Sequence, residues 1–348
     1  MEESIKLATL PALYGEAYDE ASYVVTVGYG TPKKNQTVAF DTGSDISWVQ
    51  CKPCVSTCFP QREPLFNPSE SSSYRNISCG SLECANLTRS GCSSGILGLG
   101  RGNHSLVTQT VKKFGGIFSY CLPSPSASSR TGHLTLGAVT KAAKNISYTP
   151  LNLDHETFYN LDLVGISVGG RVLPINASVF SNAGTIIDSG TVITRLPSSA
   201  YAALRSAFKR GMSAYQSTPS KSSLLDTCYD FSEVDTIAVP TIVFHFNGGA
   251  DMEVDVSGTM YGMSRSRFCL AFAGNIDDTD LGIIGNVQQQ NLEVVYDTQI
   301  GRVGFGPGSC TDDNPPPKNP TPKNSSQRIL QLRAVTIYML IFVWFLTL

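Results

Sequence analysis

The chain has 348 residues, 41% hydrophobic and 16% charged, enough for two compact domains and incompatible with wholesale disorder. A net charge of -2 with no basic block argues against nucleic acid as a partner. Frequent glycine and proline and many short apolar runs favour a mostly β fold with few short helices.

The first stretch, "MEESIKLATLPALYG", carries acidic residues after Met1 and no apolar core, so it is not a signal peptide. Residues 1–21 are read as an N-terminal extension, with the natural start expected upstream. "SYVVTVGYG" (22–30) alternates as a strand and meets a turn at Thr31-Pro32. "VAFDTGSDISWV" (38–49) places Asp41 between two apolar runs. An unpaired buried carboxylate costs several kcal/mol, so Asp41 must be partnered or neutralised. "CKPC" (51–54) has no second CxxC, and the four histidines are far apart in sequence, so structural disulfides are preferred over a metal or redox site. "FYNLDLVGISVGG" (158–170) and "TIVFHFNGG" (241–249) alternate into Gly-Gly turns. "SSAYAALRSAFKRGMSAY" (198–215) reads as a helix capped by Ser198 or Ser199, with Tyr201, Leu204 and Phe208 on one face. "NLEVVYDTQIGRVGFG" (291–306) predicts a hairpin. Residues 312–333 form a Pro-rich linker, and 334–348 an uncharged hydrophobic tail. The tail is short of the about 20 residues that span a bilayer. With Asn324-Ser325-Ser326 upstream it resembles a GPI-attachment signal, alongside a tail anchor or an unprocessed tail.

The decisive feature is an internal echo. "VAFDTGSDISWV" is matched by "TIIDSGTVITRL" (185–196), and "GILGLG" (95–100) by "LGIIGN" (281–286). One Asp-Thr-Gly is an ordinary turn. Two copies, each followed by an apolar-apolar-Gly strand, point to two lobes joined near "SYTPL" (147–151) with Asp41 and Asp188 facing each other. Two adjacent carboxylates share a proton, and one can activate a water while the other polarises a carbonyl. Backbone N–H groups near Gly43 and Gly190 and the hydroxyls of Ser44 and Thr191 are the expected donors to these carboxylates. Thr42 and Ser189 are expected to tie the two loops together.

These motifs, with "WVQCKPC", "FNPSESSSYRNISC", "FSYCLPS", "GHLTLG", "DTCYDF", "CLAFAG" and "IIGNVQQQNLEVVYD", resemble the pepsin-like aspartic endopeptidases of the plant nepenthesin-like branch, from about Ser22 to Cys310. The resemblance implies an all-β, bilobal fold, with an N-lobe over 22–149 and a C-lobe over 150–311. It also implies a polypeptide substrate, no cofactor, no metal, a monomer, and a Cys228–Cys269 disulfide. Ten cysteines and the sequons at Asn35, Asn76, Asn86, Asn103, Asn145, Asn176 and Asn324 favour a secretory, extracellular or cell-surface protein.

One departure stands out. Asp41 lies 57 positions before Gly98, whereas Asp188 lies 97 before Gly285. In similar proteins the N-lobe interval holds a Tyr-containing hairpin, the flap, which closes over substrate. Here "GCSSGILGLGRG" (91–102) joins its two sides directly, so the N-lobe is read as truncated. Three readings follow: an active acid protease, a polypeptide-binding protein without catalysis, or an incomplete product of splicing or gene prediction.

Overall fold

A computed structural model describes residues 5–54, 58–75, 93–125, 131–137, 145–153, 157–308, 310 and 327–331, the last stretch by its backbone. Short strands dominate, and the longest helix is Ser198–Gly211. Fifteen strands join in one sheet that runs from one lobe into the other.

The middle of that sheet is shared. Leu292–Asp297 pairs antiparallel with Ile117–Cys121 on one side and Arg302–Pro307 on the other; the latter pairs in turn with Ser147–Asn152. The lobes are therefore interleaved, and a Cys121–Cys310 disulfide crosses the same region. The predicted hairpin turns at Gly301, whose φ of 72° suits a residue without a Cβ. Its first strand, "LEVVYD", is buried on both faces after Leu292, as its near-continuous apolar run requires. Phe118 stacks on Tyr296 at 4.4 Å between ring centroids, and Tyr159 meets the same ring edge-on at 4.5 Å. With Phe40 and Tyr120 they form an aromatic floor under the lobe junction.

Both ends of the sheet repeat one pattern. In the C-lobe, Thr185–Ile187 runs parallel to Gly282–Ile284. Gly282–Ile284 pairs antiparallel with Thr194–Leu196, and Thr194–Leu196 pairs parallel with Phe272–Gly274. In the N-lobe, Lys34–Asp41 runs parallel to Gly95–Gly98, which pairs antiparallel with Trp48–Val49. The registers correspond: Trp48 faces Ile96, and Arg195 faces Ile283. There the likeness stops. Among the described residues no strand pairs with the outer edge of Trp48–Val49, the position that Phe272–Gly274 takes in the C-lobe.

Three details differ from the sequence reading. Ala8–Tyr14, within the segment read as an extension, is a sheet strand paired with Gly132–Leu136 and Tyr23–Tyr29. Its alternating burial explains its place at the sheet surface. Gln327–Gln331, within the segment read as a linker, pairs antiparallel with Thr236–Pro240. The helix from Ser198 is not capped by its own serines. Its N-cap position is Pro197, and Asp278 accepts from the Ser199 N–H at 2.7 Å and from the Ser198 hydroxyl at 3.1 Å. A distant carboxylate thus satisfies the first turn, a contact invisible to local pattern.

Phe118 is fully buried in the aromatic floor. Phe118→Ala is expected to lower the unfolding free energy by about 3–5 kcal/mol, read from the urea midpoint at constant m-value. A change below about 1 kcal/mol would show that the floor is not a close-packed core.

Candidate active site

Asp41 ends the strand Lys34–Asp41, and Asp188 directly follows Thr185–Ile187. Each sits at the mouth of a tight loop fastened by the next apolar-Gly strand. Gly98 donates its N–H to the Ser47 hydroxyl at 3.0 Å, and Gly285 donates to the Thr194 hydroxyl at 3.0 Å. The two loops then present their carboxylates identically. Gly43 N–H donates to Asp41 Oδ1 at 2.8 Å, and Gly190 N–H to Asp188 Oδ1 at 2.7 Å. Ser44 Oγ donates to Asp41 Oδ2 at 2.5 Å, and Thr191 Oγ1 to Asp188 Oδ2 at 2.6 Å.

The glycines are needed for close approach. A Cβ on Gly43 would lie 2.6 Å from Asp188 Cγ, and one on Gly190 would overlap Asp41 Oδ1. Each loop therefore presses on the carboxylate of the other lobe. Behind the carboxylates the loops exchange bonds. Thr42 N–H donates to Ser189 Oγ at 3.1 Å, and Ser189 N–H donates to Thr42 Oγ1 at 2.9 Å. The hydroxyls pass their protons onward, Ser189 to the Phe40 carbonyl at 3.0 Å and Thr42 to the Ile187 carbonyl at 3.4 Å. Thr42 and Ser189 are both fully buried, so these bonds satisfy groups that water cannot reach.

Asp188 is 8% exposed. Burial, and next the neighbouring Asp41 carboxylate, push its pKa up to about 7, against the downward pull of the Thr191 and Gly190 hydrogen bonds. The pair thus holds a proton well above the usual carboxylate range. It can offer an acidic proton and a basic oxygen side by side, the arrangement general acid–base hydrolysis needs.

Sequence reasoning singled out the loops but not what supports them. Asn286 Nδ2 donates to the Ser189 carbonyl at 3.1 Å, and its N–H to the Thr191 carbonyl at 2.7 Å. Gln288 accepts from the Thr194 N–H and hydroxyl and donates to the Gly258 and Ala271 carbonyls. Gln289 donates to the carbonyls of Asp188 and Ile284 and accepts from the Tyr120 hydroxyl. All three amides are completely buried. On the N-lobe side Asp45 accepts from the Gly102 N–H at 2.8 Å. The signal available was "NVQQQN" between two apolar runs: amides there must be buried, and buried amides must be partnered.

Other residues named from sequence lie elsewhere. Cys228 and Cys269 form a disulfide between directly paired strands. In "CKPC" only Cys54 is bonded, to Cys58; Cys51 keeps an exposed free thiol, because the motif's two cysteines do not pair with each other. Asn35, Asn103, Asn145 and Asn176 are exposed, and Asn176 also caps the helix Ala177–Ala183. Asn76, Asn86, Asn324 and the tail 334–348 lie outside the described residues. Among the described residues no helix is long and apolar enough to cross a membrane.

Comparison with known proteins agrees with this geometry. The Xylanase inhibitor C-terminal family profile matches residues 158–307, and the Xylanase inhibitor N-terminal profile matches 23–94 and 86–138. The two N-terminal pieces meet where the Asp41–Gly98 interval is short. An aspartyl protease family protein of Arabidopsis thaliana is 44% identical over 364 residues, covering 88% of this chain and 76% of that protein. That aligned stretch exceeds the length of this whole chain, so the relative carries internal residues that this one lacks. Aspartic proteinase nepenthesin-1 of Nepenthes gracilis is 32% identical, covering 84% of this chain and 78% of its own. The crystal structure of edgp superposes with a TM-score of 0.67 at 18% identity, covering 88% of this chain and 96% of that one, a likeness of fold.

The raised pKa of Asp188 fixes the sign of a pH effect. A carboxyl that ionises less readily folded than unfolded stabilises the fold fully below about pH 4. That stabilisation is lost as pH rises through about 7. The unfolding midpoint of the wild type is therefore expected to fall between those values, and Asp188→Asn to flatten the dependence. Parallel curves for the two proteins would show that Asp188 titrates as an ordinary surface carboxyl.

Proposed function

Because the chain belongs to the plant family of pepsin-like aspartic proteases, we propose that it is an aspartic endopeptidase, cleaving peptide bonds with water activated by Asp41 and Asp188. The observation that carries this reading is the complete pair: both carboxylates are present, each holds its backbone and hydroxyl donors, and crossed bonds lock them together. With Asp188 holding the shared proton up to about pH 7, it is the member that protonates the scissile carbonyl oxygen. Asp41 then takes a proton from the attacking water, and the tetrahedral intermediate collapses with proton return to the amine. The hydrogen bonds from Gly43, Ser44, Gly190 and Thr191 keep the four carboxylate oxygens aimed, so little reorganisation is required. The chemistry uses protons and water alone, with no step that calls for a cofactor.

A second reading is favoured by the edge of Trp48–Val49, which no strand among the described residues pairs. A cleft without its covering hairpin could hold a polypeptide without turnover, in keeping with a family profile described by inhibitors. For location we favour the secretory route and the cell exterior, supported by the three disulfides among the described residues.

The test is digestion of denatured protein substrates across pH 3–8 with the purified chain. The expected result is cleavage that peaks in acid, declines toward pH 7 and is abolished by a statine-type transition-state analogue and by Asp188→Asn. Tight binding of polypeptide without cleavage at any pH would instead establish the second reading.

A further inference from the structure

The two halves of the dyad are fastened from beneath in different ways. The carbonyl of Asp41 accepts from the backbone N–H of Leu99 at 2.8 Å. The carbonyl of Asp188 accepts instead from a side chain, Gln289 Nε2, at 3.1 Å. The same nitrogen donates to the Ile284 carbonyl at 2.8 Å, so both its hydrogens are committed to acceptors. The amide orientation is thereby fixed, and Gln289 Oε1 must face a donor. That donor is Tyr120, a residue of the N-lobe strand Ile117–Cys121, whose hydroxyl lies 2.5 Å away. Having given its proton to Gln289, the Tyr120 oxygen accepts from the Tyr296 hydroxyl at 2.8 Å.

A chain of donors therefore runs from Tyr296 through Tyr120 and Gln289 to the backbone of the C-lobe carboxylate. Tyr120, Gln289 and Tyr296 are all fully buried. Burial raises the pKa of both phenols above the ordinary tyrosine value, so each remains a neutral donor. The titratable groups facing Asp188 are then Asp41, Tyr120 and Tyr296, and only the carboxyl pair changes charge in the working range. Loss of one hydroxyl at Tyr120 leaves Gln289 Oε1 without its donor in a site water does not reach, and the amide is free to turn away from Asp188.

We infer that Gln289 is a positioning residue for Asp188, held in place by the Tyr120 hydroxyl from the opposite lobe, so that this buried pair sets the spacing of the two carboxylates. The inference rests on the catalytic reading of the dyad and adds to it a support that neither Asp loop contains. It assigns the amide-rich segment after Gly285 a role in the chemistry rather than in packing alone.

The experiment compares wild type with Tyr120→Phe and Gln289→Met, following Asp188 by carbon-13 carboxyl shifts of aspartate-labelled protein, assigned with Asp188→Asn. With the support gone, Asp188 drifts from Asp41 toward water, so its midpoint should fall by about half a pH unit or more in both variants. Turnover should drop by about tenfold in kcat with KM within about twofold, since substrate contacts are untouched. An unchanged Asp188 midpoint in folded Tyr120→Phe protein overturns the inference. So does loss of folding in that variant, because a positioning role leaves the fold intact. If the wild type does not cleave at all, the proposed function fails, while the titration still decides this inference.

Discussion

Everything at the site depends on the crossed hydrogen bonds between Thr42 and Ser189. They join residues 147 positions apart in the sequence and draw the two carboxyl-bearing loops against each other. Two carboxylates repel unless a proton is shared. Here the repulsion is opposed by backbone and hydroxyl bonds that are themselves buried and so cannot be traded for water. The interleaved sheet serves the same end. Because Leu292–Asp297 lies against Ile117–Cys121, the lobes are joined by a continuous hydrogen-bonded ladder rather than by a tether.

The pseudo-twofold relation is close in the loops and looser outside them. Matching serine or threonine hydroxyls, matching glycine N–H groups and matching strand registers serve Asp41 and Asp188 alike. The differences lie one layer out. The C-lobe uses Asn286, Gln288 and Gln289 to pin its loop, whereas the N-lobe uses Asp45 and the Leu99 backbone. Among the described residues the N-lobe sheet ends at Trp48–Val49, where the C-lobe adds Phe272–Gly274. The described bonds that hold Asp41 come from Gly43, Ser44 and Leu99.

The repeat of Asp-Thr/Ser-Gly-Ser/Thr made the dyad, its donors and the two-lobe plan legible, because these depend on short-range geometry that a few residues specify. The shortened interval between Asp41 and Gly98 was legible as arithmetic. What the sequence hid is long-range. Nothing in "LATLPALY" announces that it pairs with Gly132–Leu136, and nothing near Ser198 points to Asp278 as the cap. The cysteines of "CKPC" read from sequence as structural disulfides without an assigned partner, and Cys54 pairs with Cys58. The amides after Gly285 were visible as polar residues in an apolar setting, but their partners lie up to 169 positions away.

A dyad's position and its cover are separable physical requirements. The burial that raises the pKa of Asp188 comes with the loops that pack around it, since Gly43 presses against its carboxyl and Gly190, Thr191 and Asp41 surround it. Those contacts are made by residues of the two Asp loops themselves. What a covering hairpin adds is exclusion of water and orientation of an extended substrate. Position and cover are thus built from different segments of the chain, and the hydrogen bonds that aim Asp41 and Asp188 come from the two Asp loops.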